Sequence, residues 1–401
     1  MEVQIRKKLN NFTLEVHFES EEGILALLGT KGTGKTMALR CIAGLEKPDE
    51  GRIVLNGRVL YDSLKKTDLP PAKRRVGCLL EDYGLFPFMT VDENIRMALL
   101  GGGKAQLPPH TRAGSTALVP VISEYLGRYH LDGLGGYYPR ELSGAQYFWA
   151  SYARMMASSP ELILLDDPFA GLDRYLAAGI MREVREDIAR AKIPCIFASA
   201  DRDEVYGMGK TVCVLHRGQS EVLQSRENFF ADPETVTGAV LTGCTNISEV
   251  RLLDPTHAVS GDWGQIFCYR VRERESLEDS ALHGETTPAG LTHTDAGGIR
   301  WKEFPVGTSA IGIRPTDLCA SPGGSKEDGT ENWTRFTVHA PRVEEDLFYW
   351  NVYFRPAIRS SAEMLWSLPK TAADWDKITA QELMQIRTLY IRNDRILWLR
   401  K

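Results

Sequence analysis

The stretch Gly29-Thr30-Lys31-Gly32-Thr33-Gly34-Lys35-Thr36 decides the fold of this chain. It matches the pattern G-x-x-x-x-G-K-[S/T] of a phosphate-binding loop, which connects a buried strand to a helix. The apolar run Ile24–Leu28 predicts that strand, and Lys35–Ala43 predicts the helix, which ends at Gly44. We therefore expect an α/β domain built around a parallel sheet.

The residue types in this loop suit a nucleotide. Glycines let backbone N–H groups curl around a phosphate at a helix N-terminus. Lys35 supplies a positive charge for the β- and γ-phosphates, and the hydroxyl of Thr36 is a ligand for Mg²⁺. We predict that ATP and Mg²⁺ are the cofactors. The predicted nucleotide contacts are Gly29, Thr30, Lys31, Gly32, Thr33, Gly34, Lys35 and Thr36.

A second polar group follows another apolar run. Leu162-Ile163-Leu164-Leu165 is typical of a central parallel strand, and Asp166 and Asp167 stand at its carboxyl end. Asp166 is the predicted ligand of Mg²⁺, directly or through water. Between the two motifs lies Leu142-Ser143-Gly144-Ala145-Gln146, where Ser143 predicts the N-cap of a helix. An ordinary phosphate-loop enzyme has no role for that segment.

These motifs resemble those of the ATP-binding subunits of ABC transporters. The segment 142–146 is similar to the family's signature Leu-Ser-Gly-Gly-Gln, residues 76–87 resemble its Q-loop, and residues 170–173 resemble its D-loop. The motifs follow one another in the family's order, which makes the signal specific.

The resemblance implies roles for further residues. The signature faces the nucleotide of a second ATP-binding subunit, which is a copy of this chain or a homologue. Catalysis falls to Asp167 and to the Q-loop position Glu81, which also belongs to the predicted Mg²⁺ ligands together with Thr36 and Asp166. The signature residues expected to contact that nucleotide are Ser143, Gly144 and Gln146.

Three polar positions differ from the family's pattern. Asp167 replaces a glutamate, Ala200 stands where a histidine reaches the γ-phosphate, and Glu81 replaces the Q-loop glutamine. A displacement of about 1 Å costs on the order of 10²-fold in rate where positioning is the main contribution. Glu81 also adds a negative charge, which Mg²⁺ or a proton must compensate. We expect slow or absent hydrolysis, so activity as an ATPase stays open.

Composition indicates a two-domain protein. The 401 residues are too many for one ordinary core. A formal net charge of −5 argues against a nucleic acid partner. The seven cysteines lack C-x-x-C pairs, so they predict neither a disulfide framework nor a zinc site. The sequence has no leader and no apolar run of about 20 residues, so we expect any membrane association to come through a partner. The resemblance implies a peripheral protein at the cytoplasmic face of the membrane.

The pattern of elements changes near residue 235. Alternating strands and helices predict an ABC ATP-binding domain over 1–235, and short β-rich stretches predict a second domain over 236–401. Loops at 292–298 and 321–332 separate these stretches, which indicates a small all-β barrel similar to the TOBE and Mop type. The predicted fold class is a P-loop ABC-type α/β domain followed by that regulatory barrel.

The order of these domains resembles importers of molybdate, sulfate and sugars, and residues 242–248, 262–264 and 311–315 resemble the molybdate type. The resemblance implies an importer subunit for molybdate or a related oxyanion. It would drive transmembrane permease subunits and depend indirectly on an extracytoplasmic substrate-binding protein. The alternative is a non-hydrolysing, nucleotide-gated regulatory subunit that pairs with a competent ATPase.

Two further patterns concern packing. The aromatic residues within 147–152 favour helix packing or a partner surface over stacking on a base. The basic residues within 65–75 favour a solvated loop over an anion or lipid contact.

Overall fold

A computed structural model of the chain divides into two compact units, Met1–Asn228 and Phe229–Lys401. The predicted domain boundary at residue 235 falls inside the second unit and stays a prediction. The residues that the structure describes are 1–20, 23–80, 84–101, 118–254, 257–268, 293–294, 300–301, 304–320, 333–357, 360, 362–370 and 379–400.

The first unit is an α/β structure. Its strands are β1 (Glu2–Lys8), β2 (Thr13–Glu19), β3 (Ile24–Leu28), β4 (Glu50–Leu55), β5 (Arg58–Asp62), β6 (Thr67–Asp68), β7 (Val76–Leu79), β8 (Leu162–Asp166), β9 (Cys195–Ser199), β10 (Thr211–His216), β11 (Gln219–Ser220) and β12 (Gln224–Ser225). Its helices are α1 (Lys35–Ala43), α2 (Pro71–Arg74), α3 (Val91–Gly101), α4 (Val119–Arg128), α5 (Gly144–Ala157), α6 (Arg174–Ala191) and α7 (Arg202–Met208).

The sheet of this unit has a parallel and an antiparallel part. The parallel part has the order β7-β8-β9-β3-β10, and the antiparallel part has the order β6-β5-β4-β1-β2. Strand β11 pairs with both β10 and β2 and so joins the two parts. The predicted bounds of β3 and α1 are confirmed, and β8 extends through Asp166.

The central strands β3, β8 and β9 are buried along their whole length, as parallel strands covered on both faces are. Their register places Leu28 opposite Ser199 and Asp166 opposite Ala198. The residues that follow these three strands therefore emerge side by side at one edge of the sheet.

Helix α5 is anchored by an aromatic cluster. The rings of Phe148, Trp149 and Tyr152 are buried and lie 5.4 to 6.0 Å apart between centroids. The hydroxyls of Tyr129 and Tyr152 donate to Oδ2 of the buried Asp187 on α6 at 3.0 and 3.4 Å. The interpretation of these aromatic residues as helix packing is confirmed, and they are not available for a base.

Arg74 corrects the interpretation of the basic residues within 65–75 as solvated. Its side chain is 0% exposed. Its Nη1 donates to the carbonyl oxygens of Cys41 and Ile42 at 2.9 and 2.8 Å, and its Nε donates to the carbonyl oxygen of Leu69 at 2.7 Å. Carbonyls at a helix end lack partners within the helix, so this guanidinium closes the C-terminus of α1.

The second unit is rich in β-strands. Helix α8 (Arg226–Ala231) contains the division between the units, and α9 (Val236–Leu241) and α10 (Ala380–Met384) lie beyond it. The strands are β13 (Asn246–Asp254), β14 (His257–Ser260), β15 (Gln265–Cys268), β16 (His293–Thr294), β17 (Arg300–Trp301), β18 (Ala310–Ile313), β19 (Trp333–Thr337), β20 (His339–Glu345), β21 (Tyr349–Arg355), β22 (Met364–Pro369), β23 (Thr388–Arg392) and β24 (Leu397–Leu399).

These strands form sheets with the orders β15-β14-β13-β18-β24 and β20-β21-β22, and the pairs β19-β23 and β16-β17. The predicted loop at 292–298 is wrong at two residues, because β16 pairs with β17 there. The predicted loop at 321–332 lies outside the described residues. No helix in the described ranges is both long and apolar enough to cross a membrane.

Replacing Arg74 by methionine tests its part in closing α1. We expect the free energy of unfolding of the first unit to fall by about 3 kcal/mol, because buried carbonyl groups lose their donor. The exposed neighbour Lys73 provides a matched control. Lys73→Met should change the free energy of unfolding by less than about 0.5 kcal/mol. Denaturant titration of both variants measures the difference. Equal losses in the two variants would contradict the assignment.

Candidate nucleotide site

A cleft of about 990 Å³ opens at the carboxyl edge of the parallel strands in the first unit. It brings together the loop after β3, the aspartates at the end of β8 and the residues after β9, because neighbouring parallel strands end at one edge. Of the residues in the predicted motifs, those that line the cleft are Lys31, Gly32, Gly34, Lys35, Thr36, Asp166, Asp167, Ala170, Gly171, Leu172 and Ala200. The predicted contacts Gly29, Thr30 and Thr33 are not among the lining residues.

The backbone of the loop needs glycine at two positions. Gly34 has a φ of 106°, and a β-carbon there would lie 2.8 Å from Cδ1 of Leu14. A β-carbon at Gly29 would lie 2.5 Å from the carbonyl oxygen of Leu215. The loop is therefore packed closely against β2 and β10, which fixes its path around the cleft.

The N-terminus of α1 faces this cleft without a side-chain cap. Its N-cap residue is Gly34, no side chain accepts from the first turn among the described residues, and that turn contains no acidic residue. The N–H groups at a helix start carry partial positive charge and need acceptors. An anionic phosphate fits this position.

Lys35 is folded over the loop. Its Nζ donates to the carbonyl oxygens of Gly29 and Thr30 at 2.8 and 3.3 Å, and the residue is only 5% exposed. Burial lowers the pKa of Lys35, whereas the carboxylates of Asp167 and Asp166 oppose that shift. The ammonium group is thus held at the base of the cleft, between the loop carbonyls and the two aspartates.

Thr36 and Asp166 supply hard oxygen ligands of the kind that Mg²⁺ prefers. Both line the cleft, and Asp166 is 2% exposed at the end of β8. No group of three His, Cys, Asp or Glu side chains arranged to hold a metal occurs in the part of the chain that the structure describes. These two residues fit a Mg²⁺ ion that takes its other ligands from phosphate oxygens and water.

Asp167 has a left-handed backbone, with a φ of 42°. Its N–H donates to the carbonyl oxygen of Ala198 at 2.8 Å, and its Oδ1 accepts from the N–H of Ala200 at 3.3 Å. Ala200 is exposed to the cleft and presents only a methyl group there. The position predicted for a phosphate-contacting histidine therefore offers no side-chain donor.

Acidic residues line the wall beyond Ala200. Oγ of Ser199 donates to Glu204 at 2.6 Å, and burial raises the pKa of Glu204. Asp201 caps α7 by accepting from the N–H groups of Asp203 and Glu204. Nη2 of Arg174 lies 2.7 Å from Oδ2 of Asp203.

The predicted contact residues of the signature segment do not line the cleft of their own chain. Ser143 is the N-cap of α5, as predicted, and forms a capping box with Gln146. Ser143 and Gly144 are exposed, and none of the predicted signature contacts lines the cleft. A β-carbon at Gly144 would lie 3.6 Å from Leu172, which places the signature beside the segment 170–173. The predicted residue Glu81 lies outside the described residues.

Phe12 contacts the site region although no motif predicted it. Its Cε2 lies 3.5 Å from the position that a β-carbon of Gly34 would take, and its ring also packs against Gly218. Phe12 follows β1 and is far from the loop in sequence. An isolated aromatic residue before a strand indicates core packing as readily as a nucleotide contact, so the sequence offered no decisive signal.

Comparison with known proteins agrees with this geometry. The family model described as ABC transporter matches residues 9–170. The sulfate/thiosulfate import ATP-binding protein CysA of Xylella fastidiosa is 32% identical over 292 residues, which cover 69% of this chain and 80% of that protein. The chain belongs to the ABC transporter family.

The names of other relatives refer to different transported substrates. The spermidine/putrescine import ATP-binding protein PotA of Oleidesulfovibrio alaskensis is 32% identical, with 73% of this chain and 68% of that protein covered. The molybdenum import ATP-binding protein ModC of Paramagnetospirillum magneticum is 31% identical, and the match covers 58% of this chain but only 61% of that protein.

Family membership confirms the α/β ABC-type fold predicted for the first part of the chain. ABC ATPases generally bind ATP with Mg²⁺, and the loop, Lys35, Thr36 and Asp166 are arranged in a manner that fits both. The roles assigned to individual residues of the site stay predictions.

Substituting Lys35 by alanine removes the ammonium group at the base of the cleft. We expect the affinity for Mg-ATP to fall by about tenfold or more, since this is the main charge that faces the β- and γ-phosphates. Calorimetric titration measures the affinity of the variant and the parent. Lys47→Ala, which removes a lysine whose side chain is 70% exposed, is the matched control and should bind like the parent. Unchanged affinity in Lys35→Ala would remove this residue from the nucleotide site.

Proposed function

We propose that the chain is the ATP-binding subunit of an ABC importer, which couples ATP binding to movement of transmembrane permease subunits. The observation that carries this proposal is the convergence of Lys35, Thr36 and Asp166 on one cleft, next to a helix N-terminus without a side-chain cap. The three relatives named above, all import ATP-binding proteins, support the same direction of transport.

A second ATP-binding subunit, either a copy of this chain or a homologue, completes the nucleotide site in this proposal. Ser143 and Gly144 stand exposed at the N-terminus of α5 and do not reach the cleft of their own chain. A helix N-terminus with a serine cap is suited to a phosphate group. The signature would therefore contact the nucleotide that the other subunit holds.

Hydrolysis at this site is slow in our proposal. The side chain of Asp167 is one methylene shorter than that of glutamate, so its carboxylate is displaced from the position that would hold an attacking water. Ala200 gives the γ-phosphate no hydrogen bond, and Glu81 adds a carboxylate at the Q-loop position. Positioning dominates phosphoryl transfer, so these exchanges lower turnover more than binding.

Asp167 and Ala200 also favour a second function. In that function the chain is a nucleotide-gated regulatory subunit that pairs with a competent ATPase. In that case ATP binding through Lys35 closes the pair of subunits, and the hydrolysing site is supplied by the homologue. The two functions differ in whether purified homodimers turn over ATP in a single-turnover assay.

The permease would hold the chain at the cytoplasmic face of the membrane. Phe86, near the end of the Q-loop, and Phe88, directly after it, are exposed, the latter at 91%. The guanidinium of Arg154 lies 4.3 Å from the ring centroid of Phe86. An exposed aromatic pair beside the cleft domain's helices suits a docked helix of a membrane subunit.

For the cargo, we propose molybdate or a related oxyanion. Residues 242–248, 262–264 and 311–315 resemble importers of the molybdate type. They fall in the second unit, for which we propose a TOBE- or Mop-like barrel over 236–401. The relatives' names include sulfate, thiosulfate and polyamines, so an extracytoplasmic binding protein and the permease would select among such cargoes.

Restoring the exchanged groups should raise turnover. We expect the triple variant Asp167→Glu, Ala200→His, Glu81→Gln to hydrolyse Mg-ATP about 10²-fold faster than the parent, because each change returns a group aimed at water, Mg²⁺ or the γ-phosphate. Each single change should achieve less, since positioning groups act as a unit. Phosphate release under single-turnover conditions measures this rate.

The control for this rescue moves the histidine within the cleft. Ala178→His replaces Ala200→His in the triple variant and adds a histidine to another wall of the same cleft. It should not restore turnover. If the original triple variant binds ATP and remains as slow as the parent, the exchanged residues do not limit hydrolysis.

Mg-ATP should drive formation of a dimer, because the proposed site needs Ser143 from the other subunit. Sedimentation velocity is expected to show the dimer with Mg-ATP and the monomer with ADP. Ser143→Arg should abolish the ATP-dependent dimer, whereas Asn10→Arg, at an exposed turn between β1 and β2, should leave it intact. A monomer of the parent chain at saturating Mg-ATP argues against a homodimer.

A further inference from the structure

A second cavity, of about 470 Å³, lies in the first unit at the amino edge of the parallel strands. Gly23 and Ile24 stand at the start of β3, and Lys210 directly precedes β10. The nucleotide loop follows the opposite end of β3, and no residue lines both cavities. The volume is within the range of about 300 to 1,000 Å³ that is usual for small-molecule sites.

The floor of this cavity is apolar. Ile24, Ile188 and Met208 contribute buried side chains from β3, α6 and α7, and Ile193 adds a half-buried one. Such a surface gains from contact with a hydrocarbon or aromatic group, at about 25 cal/mol per Å² removed from water.

The rim of the cavity is positively charged. Four basic residues line it, and the acidic residue among its lining, Glu227, lies 2.6 Å from Nη2 of Arg226. The basic residues are Arg185, Lys192, Lys210 and Arg226.

The two arginines already have a structural task. Arg185 donates to the carbonyl oxygen of Gly207 at 2.7 Å, and Arg226 donates to that of Tyr206 at 3.2 Å. Both contacts satisfy carbonyl groups at the C-terminal end of α7, where cations are favoured. The positions of the two arginines are therefore explained by these carbonyl contacts and do not require a ligand.

The two lysines have no such task within the described residues. Lys192 ends α6 and Lys210 precedes β10, and both are exposed. No hydrogen bond or ion pair in the described part of the chain uses either ammonium group. Within the described residues, therefore, two cations at the rim of an apolar cavity have no hydrogen-bond acceptor.

We propose that this cavity binds a small organic anion with an apolar body and one anionic group. The apolar body packs against Ile188, Ile193 and Met208, and the anionic group accepts from the ammonium groups of Lys192 and Lys210. An inorganic anion would leave the floor uncovered, and a neutral hydrocarbon would leave the lysines unused. The site is separate from the nucleotide cleft and does not depend on the proposed transport function.

Calorimetric titration with 1-naphthyl phosphate tests this site, with Mg-ATP at saturation to occupy the nucleotide cleft. We expect saturable binding that persists with Mg-ATP and weakens by at least about tenfold in Lys192→Ala, Lys210→Ala. The control Lys65→Ala, Lys66→Ala removes the same charge from an exposed turn and should bind like the parent. Inorganic phosphate has only the anionic group and 1-naphthol has only the apolar ring, so each should bind far more weakly than 1-naphthyl phosphate.

A second variant reports on the apolar floor. Ile193→Asn keeps the lysines and changes a half-buried position, so it should weaken 1-naphthyl phosphate by several-fold without unfolding the chain. Circular dichroism checks the fold of each variant. Equal affinity of the parent and the double lysine variant overturns the proposal. So does loss of binding when Mg-ATP is added, or inorganic phosphate binding as tightly as 1-naphthyl phosphate.

Discussion

The parallel pairing of β8 with β9 and of β9 with β3 aligns the carboxyl ends of these three strands. The segments that follow the strands line the nucleotide cleft. The register sets Asp166 opposite Ala198 and Leu28 opposite Ser199, so Asp167, Ala200 and Gly29 all emerge at the same level. A further contact depends on this level, because it lets the N–H of Ala200 donate to Oδ1 of Asp167. A shift of one residue in either pair would turn these groups to the opposite face of the sheet.

The arrangement of charge in the cleft supports our proposal that the chain binds a nucleotide and hydrolyses it slowly. The positive side includes Lys35 and the N-terminus of α1, and in our proposal both attract the phosphates of the nucleotide. The opposite side carries Asp166, Asp167 and the acidic start of α7, and Ala200 lies between the aspartates and α7 without a side-chain donor. In the proposed function, the groups that would hold a ground-state phosphate are therefore present, whereas the groups that would act on the transition state are reduced, and only the latter raise kcat.

The sequence was informative wherever a motif determines local structure. The strand before the loop, the helix after it and the cap at Ser143 follow from patterns a few residues long, because glycine conformation, apolar runs and capping are local properties. The long-range contacts were not predictable in this way. Arg74 resembles its solvated neighbours in sequence, and only the folded chain brings it against the end of α1.

In the second unit, too, long-range contacts could not be predicted from the sequence. Its strands were predictable as β-rich stretches, but the pairing of β13 with β18 and of β18 with β24 joins segments that are far apart in the chain. Pairings at such distance depend on which faces are buried together. Phe12 is a comparable case in the first unit, because its position beside the nucleotide loop arises from packing between separate strands.

Helices α6 and α7 each extend from one cavity of the first unit to the other. On α6, Ala177 and Met181 line the nucleotide cleft, whereas Ile188 lines the second cavity. On α7, Glu204 lines the nucleotide cleft and Met208 lines the second cavity. Because a helix moves largely as a rigid rod, occupancy at one end biases the position of the other. Linkage makes this bias reciprocal: whatever factor ATP imposes on an anion, that anion imposes on ATP. Under the two proposals, in which hydrolysis is slow and the second cavity binds an organic anion, the concentration of that anion would help to set the time that the chain spends in the nucleotide-bound form.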